Sequence, residues 1–282
     1  MTAETILKMN NLLEEFQNDG FLIIEGFNSA KECDELMQRA AELTANFDYT
    51  GHPSVFQTSE QERTSDEYFL GSGGNISFFF EKDAFDEKGQ LKQDILHSLN
   101  KIGHAMHDLD PVFNRFSRSP QMKRLAAELN LSDALIIQSM YIFKHAKIGG
   151  VVDVHQDSTF LYTEPQTCVG FWFALEDATI ENGCLWAKPG GHQTALRSRF
   201  RRKDVGTEFQ TFDNTPFEMD GMIPLEVKKG ACIVLDGLLP HLSQPNTSGK
   251  SRHAYVIHAI DGKAKYPEQN WLRRNWSELS PI

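Results

Sequence analysis

The chain has few cysteines, no long apolar run and no surplus of basic residues. Its four cysteines are Cys33, Cys168, Cys184 and Cys232, and none of them stands in a CxxC pair. They are therefore predicted to be reduced thiols rather than a disulfide framework, which favours a reducing compartment and a cytoplasmic location. No apolar segment approaches the roughly 18 residues that a membrane-spanning helix requires.

Acidic residues outnumber basic residues, and the formal net charge of −11 disfavours a nucleic acid or an anionic membrane as a partner. No obligate protein partner is evident either, so a small-molecule substrate is the expectation. The first 18 residues are amphipathic and rich in Glu, unlike a signal or transit peptide. The closing residues Ser280-Pro281-Ile282 do not match the S-K-L peroxisomal address.

Hydrophobic periodicity divides the chain into two parts. Helical patterns dominate the first part, over 3–17, 29–44, 91–109 and 119–129, with short strands predicted at 21–24 and 75–81. From Ala134 onward, strand-like runs recur between turn residues, over 134–144, 168–178, 183–188, 223–227, 231–236 and 253–260. Helices followed by short strands, without βαβ alternation, predict an antiparallel sandwich or barrel decorated with helices.

We expect one domain over 1–282, in which a mostly helical part, 1–133, packs on a β core at 134–260. Two polar segments, 46–73 and 190–222, are predicted loops and candidate lids. The second contains the basic cluster Arg197–Lys203. This cluster is either a solvated loop or a contact for an anionic substrate, and the sequence leaves both interpretations open.

The pattern His155-Gln156-Asp157 is the strongest indication of chemistry. It follows a Gly-Gly turn and is predicted to begin a strand, where residues two apart point to the same face. A third ligand is available in His241, which comes just after an apolar strand, and Arg252 lies eleven residues further on. Two histidines and one carboxylate form the facial triad of non-haem Fe(II) oxygenases.

The remaining histidines offer weaker signals. Most have no acidic or Cys neighbour at metal-ligand spacing, and His258 is among them. His107 precedes Asp108, but the pair lies in a helix-like stretch, so the two side chains are predicted to diverge.

The chain resembles the phytanoyl-CoA dioxygenase family, and most closely its branch of phytanoyl-CoA dioxygenase domain-containing proteins. The matching segments are 19–27, 100–105, 138–144, 155–157, 161–165, 181–186 and 252–255. The similarity spans nearly the whole chain and weakens at 196–222 and at the ends.

The resemblance implies a double-stranded β-helix (jelly-roll, cupin-like) core and a dioxygenase that uses Fe(II), 2-oxoglutarate and O2. By family position, His155, Asp157 and His241 are the implied metal ligands. The implied 2-oxoglutarate contacts are Lys101, Met140, Trp172, Ser243 and Arg252. From the residues alone, Met140 and Trp172 fit a plain core position equally well. Asp157 is retained, whereas halogenating relatives lack this carboxylate, so hydroxylation of an aliphatic C–H is the implied reaction.

Two other classes of function stay open at this point. One is a catalytically silent module that binds 2-oxoglutarate or metal on the same fold, because a fold alone does not secure a function. The other is a cupin with different metal chemistry, although such proteins usually carry further histidine ligands close together. Conversion of 2-oxoglutarate to succinate separates the oxygenase from both.

Overall fold

The computed structural model describes residues 12–49, 67–131, 133–274, 279 and 281–282. The helices are α1 (12–19), α2 (Ala30–Ala45), α3 (Glu67–Gly71), α4 (Met106–Leu109), α5 (Pro111–Ser117) and α6 (Pro120–Glu128). The strands are β1 (Phe21–Ile24), β2 (Ile76–Phe80), β3 (Leu99–His104), β4 (Ala134–Ile142), β5 (Val152–His155), β6 (Val169–Ala174), β7 (Leu185–Ala187), β8 (Ser198–Arg202), β9 (Thr207–Thr211), β10 (Ile223–Leu225), β11 (Cys232–Asp236), β12 (His241–Ser243) and β13 (Ala254–Asp261).

The strands form two antiparallel sheets and a hairpin. The large sheet has seven strands in the order β1-β11-β6-β13-β4-β3-β2, and the small sheet has four in the order β10-β7-β12-β5. The hairpin pairs β8 with β9. Apolar side chains of both sheets share one buried cluster, so the sheets pack face to face. The fold is a jelly roll decorated with helices, as the sequence predicted.

Alternating side chains give the large sheet two buried faces. On β6, Phe171 and Phe173 belong to the cluster beneath the helices, whereas Trp172 and Ala174 belong to the cluster between the sheets. This follows from the two-residue side-chain period of a strand. Of the metal and cosubstrate residues predicted from the sequence, Met140 and Trp172 pack on the second face, and His155, His241 and Ser243 belong to the small sheet opposite it.

Helix α2 covers the outer face of the large sheet and confirms the helix predicted from Ser29 onward. The Ser29 hydroxyl accepts a hydrogen bond from the Glu32 amide, and the Glu32 carboxylate accepts one from the Ser29 amide, which completes a capping box. The buried positions of the helix, including Cys33, Leu36 and Ala40, recur at helical spacing.

Several predictions of secondary structure were wrong. Residues 91–109 were predicted as one helix, but β3 occupies their centre, hydrogen-bonded between β2 and β4, with only the short α4 behind it. Strands β1 and β2 of the same sheet confirm the strands predicted at 21–24 and 75–81, whereas β3 was not predicted. In β3, pairing with other strands overrides the local helical periodicity, and the pattern of residues along the chain does not reveal that pairing. The division of the chain at residue 133 into a mostly helical part and a β core stays a prediction.

The loop predictions were wrong in part. Of the predicted loop 46–73, residues 50–66 lie outside the described residues, and Glu67–Gly71 is helical. The segment 190–222 contains the β8–β9 hairpin. Of the N-terminal helix predicted over 3–17, the part up to residue 11 lies outside the described residues. Residues 12–19 are helical. Within the described ranges, no helix is long and apolar enough to cross a membrane.

The basic cluster at 197–203 is paired within the protein. Arg197 forms an ion pair with Asp213, and Arg201 lies 2.7 Å from a carboxylate oxygen of Glu208. The guanidinium of Arg199 is buried and stacks on the Tyr162 ring at 4.3 Å. These contacts favour a role in holding the hairpin over recognition of an anionic substrate.

Two leucine substitutions test this packing. Leu36 is 1% exposed in α2, whereas Leu109, the last residue of α4, is 57% exposed. We expect Leu36→Ala to lower the free energy of unfolding by about 2–5 kcal/mol because it leaves a cavity beneath the large sheet. Leu109→Ala should change it by no more than about 0.5 kcal/mol. Urea unfolding measures both, and equal losses would contradict the burial of α2.

Candidate metal centre

Three side chains converge where β5 and β12 pair. His155 ends β5, and His241 begins β12 directly opposite it in the antiparallel register. Asp157 opens a 3-10 turn just after β5, with Oδ1 3.6 Å from His155 Nε2 and 3.8 Å from His241 Nε2. One donor atom from each residue lies within 4.8 Å of the others, a spacing that could hold a metal ion. The pattern His155-Gln156-Asp157 was predicted to begin a strand, but β5 ends within it.

Backbone carbonyls orient both imidazoles. His155 Nδ1 lies 2.8 Å from the Asp153 carbonyl oxygen, and His241 Nδ1 lies 3.0 Å from the Leu239 carbonyl oxygen. A carbonyl only accepts, so each Nδ1–H donates and each neutral ring keeps an unprotonated Nε2. Both Nε2 atoms face Asp157. This is the tautomer that a metal-binding histidine requires.

The protonation states also suit a divalent cation. Burial raises the pKa of the Asp157 carboxyl, but the facing imidazoles of His258 and His241 outweigh burial and hold it well below its usual value. Burial lowers the pKa of His241 to about 4. An ionised carboxylate and a neutral imidazole are the forms that coordinate metals.

A buried guanidinium lies in the same cavity. Arg252 is 1% exposed, and within the described part of the chain its Nε and Nη1 have no hydrogen-bond partner. Its Nη2 lies 3.4 Å from the Ser243 hydroxyl, and its Cζ lies 5.2 Å from the centroid of the Trp172 ring. Burying unpaired cationic donors is costly, so the arrangement fits an anionic ligand such as a carboxylate.

The cavity has a volume of about 310 Å³. Every predicted site residue lines it: His155, Asp157, His241, Lys101, Met140, Trp172, Ser243 and Arg252. Burial lowers the pKa of the Lys101 ammonium to about 7. The structure therefore brings together all the residues that the sequence singled out.

An aromatic wall, defined as Phe160, Phe200 and Phe209, lines the same cavity beside the triad. The Phe160 ring lies 6.0 Å from the His155 ring, and the other two rings lie 5.9 and 6.1 Å from Phe160. Phe200 and Phe209 come from the hairpin, in a segment that was predicted from the sequence to be a loop. Their Phe-rich, alternating segment was the available signal.

One histidine contact was not predicted, and one histidine prediction was wrong. His258 has an acidic partner, since its Nε2 lies 3.2 Å from Asp157 Oδ2. The strand pairing that joins them is not visible in a linear pattern. His107 and Asp108 do not diverge: His107 Nε2 lies 3.1 Å from Asp108 Oδ2. Helix α4 is a single turn, so the spacing of a long helix does not apply there.

Comparisons with known proteins agree with this geometry. The family model described as phytanoyl-CoA dioxygenase (PhyH) matches residues 16–254. The phytanoyl-CoA dioxygenase of Arabidopsis thaliana is 44% identical over 263 residues, which cover 93% of this chain and 92% of that protein. Phytanoyl-CoA dioxygenase domain-containing protein 1 of Mus musculus is 42% identical over 279 residues, covering 95% and 94%.

A solved structure shares the fold. The epimerase SnoN, in complex with Fe3+, alpha ketoglutarate and nogalamycin RO, superposes with a TM-score of 0.65 at 18% identity. The match covers 93% of this chain and 86% of SnoN. At this identity the similarity shows a shared jelly-roll fold and no more.

The buried ammonium of Lys101 predicts a pH dependence of stability. Burial lowers its pKa to about 7 in the folded chain, against an ordinary value of 10.5. Between these two pKa values the unfolded chain binds more protons than the folded chain. This lysine therefore makes the free energy of unfolding rise with pH. We expect Lys101→Met to lower that slope by about 1 kcal/mol per pH unit between pH 7 and 9.

The measurement is urea unfolding at several pH values, with Lys250→Met as the control because Lys250 is exposed. An unchanged slope in Lys101→Met would contradict the lowered pKa.

Proposed function

The chain belongs to the phytanoyl-CoA dioxygenase family, and on that premise we propose that it hydroxylates an aliphatic C–H bond of an apolar small molecule. It is a 2-oxoglutarate-dependent dioxygenase that requires Fe(II), 2-oxoglutarate and O2. When bound, Fe(II) and 2-oxoglutarate supply the oxidising chemistry, in which one oxygen atom of O2 enters the substrate and 2-oxoglutarate becomes succinate and CO2.

The observation that carries the proposal is the triad of His155, Asp157 and His241. In our proposal these residues hold Fe(II) through two imidazole nitrogens and one carboxylate oxygen. Their donor atoms lie within 4.8 Å of one another, and backbone carbonyls orient both rings. Three protein ligands leave positions open for the cosubstrate and O2. The carboxylate of Asp157 favours hydroxylation over halogenation, because halogenating relatives lack it.

The distal carboxylate of 2-oxoglutarate is assigned to Arg252. Its Nε and Nη1 are unpartnered among the described residues, and the planar fork of a guanidinium suits a carboxylate better than the point charge of a lysine. Ser243 and Trp172, which contact the guanidinium, fix its position. Lys101 and Met140 complete the proposed cosubstrate contacts, since both line the same cavity.

The aromatic wall supports an apolar substrate. Phe160 contacts the His155 ring, and Phe200 and Phe209 pack against Phe160, so the wall lies where a substrate carbon has to approach the metal. Buried rings recognise apolar groups through contact area and exclude water from the reaction. The hairpin that supplies Phe200 and Phe209 is the proposed lid over this part of the cavity.

A cytoplasmic setting completes the proposal. All four cysteines are unpaired and buried, which suits a reducing compartment. No nucleic acid, membrane or protein partner is required for the proposed reaction.

Turnover of 2-oxoglutarate tests the oxygenase. We expect Fe(II), 2-oxoglutarate and O2 to give succinate slowly without added substrate, and His241→Ala to lower the rate at least about 100-fold because a metal ligand is lost. His107→Ala is the control, since His107 is buried outside the cavity. Tight 2-oxoglutarate binding without succinate, even with apolar candidate substrates, would favour the silent module instead.

The assignment of Arg252 predicts a selective loss of cosubstrate affinity. Arg252→Lys keeps the charge but loses the paired donors, so we expect the Kd for 2-oxoglutarate to rise about 10- to 100-fold while metal binding is unchanged. Calorimetric titration with Mn(II) in place of Fe(II), without O2, measures both constants. Wild-type affinity in Arg252→Lys would remove Arg252 from the cosubstrate site.

A further inference from the structure

We propose that His258 is a positioning residue that holds Asp157 with a single oxygen facing the metal centre. The inference rests on the proposed function, because it concerns how the same site keeps coordination positions available. It assigns a role to a histidine that has no neighbouring acidic residue in the sequence.

The two oxygens of Asp157 have different partners. Oδ1 faces the Nε2 atoms of His155 and His241, at 3.6 and 3.8 Å. Oδ2 faces His258 Nε2 at 3.2 Å, within hydrogen-bonding distance. Asp157 is 7% exposed and His258 is 3% exposed, so the contact between them is buried.

The tautomer of His258 follows from its surroundings. His258 Nδ1 is buried and has no hydrogen-bond partner among the described residues. The other nitrogen faces an anion, which can only accept. A proton is therefore placed on His258 Nε2, from which it donates to Asp157 Oδ2.

The strands aim His258 at the carboxylate. His258 lies on β13, directly opposite Gly170 of β6. A bulge in the pairing with β4 falls between His258 and Ala259, and a bulge changes the direction of a side chain. The last strand therefore departs from regular pairing at the residue that contacts Asp157.

Gly170 leaves the space that the contact occupies. A Cβ at this position would lie 3.2 Å from Asp157 Oδ2 and 3.4 Å from His258 Cδ2. The first distance is tighter than ordinary van der Waals contact, and the second is at the lower limit of that range. Any larger residue at 170 would push against the Asp157–His258 pair, so the glycine, the bulge and the histidine form one arrangement.

The arrangement has a chemical consequence. A carboxylate free to rotate can offer both oxygens to a metal, whereas the facial triad needs one, so that positions stay open for 2-oxoglutarate and O2. By holding Oδ2, His258 restricts Asp157 to Oδ1. Partners of metal ligands typically contribute 10- to 100-fold to metal affinity.

Cobalt binding tests the proposal without relying on turnover. Co(II) is titrated into the full-length protein, and its visible absorption reports both affinity and coordination number. We expect His258→Leu to raise the Kd for Co(II) about 10- to 100-fold and to alter the spectrum. His258→Gln should recover most of the affinity and the wild-type spectrum, because its amide nitrogen can donate near the position of Nε2.

His107→Leu is the matched control. It also removes a buried histidine with a carboxylate partner, Asp108, but His107 lies outside the cavity. Its effect should be confined to thermal stability, with the Co(II) affinity and spectrum unchanged. A loss of cobalt binding in His107→Leu as large as in His258→Leu would assign both effects to general destabilisation and overturn the proposal.

Gly170→Ala tests the same arrangement while keeping His258. The added methyl group displaces Oδ2 or the imidazole, so we expect Co(II) affinity to fall several-fold, with an altered spectrum. This variant also decides the question if His258→Leu does not fold. Wild-type affinity and spectrum in Gly170→Ala or in folded His258→Leu would overturn the role of His258 and leave the triad intact. No Co(II) binding by the wild-type chain would instead overturn the triad, and the inference with it.

Discussion

The antiparallel pairing of β12 with β5 is the constraint on which the site depends. It sets His241 opposite His155, two residues that are far apart in the sequence. Asp157 joins them because the chain leaves β5 through a 3-10 turn directly after His155. A register shift of one residue would turn one imidazole to the other face of the small sheet, and the three donors would no longer converge.

Burial makes this cavity electrostatically demanding. It contains the carboxylate of Asp157, the guanidinium of Arg252 and the ammonium of Lys101, all of them buried. Charges removed from water are costly unless partners satisfy them. Three imidazoles face Asp157, whereas two guanidinium nitrogens of Arg252 have no partner among the described residues. That imbalance suits an anionic ligand, and 2-oxoglutarate carries two carboxylates.

The same sheets separate recognition from support. Odd and even positions of β6 and β13 alternate between the helix-covered core and the cavity, so Phe171 and Tyr255 stabilise the fold while Trp172 and Val256 line the cavity. The hairpin adds Phe200 and Phe209 of the aromatic wall to the same cavity.

The sequence by itself determined the chemistry and the class of fold. A histidine and an aspartate two residues apart, a later histidine and an arginine predicted the site, because metal and carboxylate recognition need particular residue types. Alternating apolar runs predicted most of the strands for the same kind of local reason. Only the tertiary structure decided that 99–104 is a strand, that the hairpin lines the same cavity as the triad, and that His258 contacts Asp157. Those features depend on pairing between distant segments, and a local pattern carries no record of which strand will lie beside it.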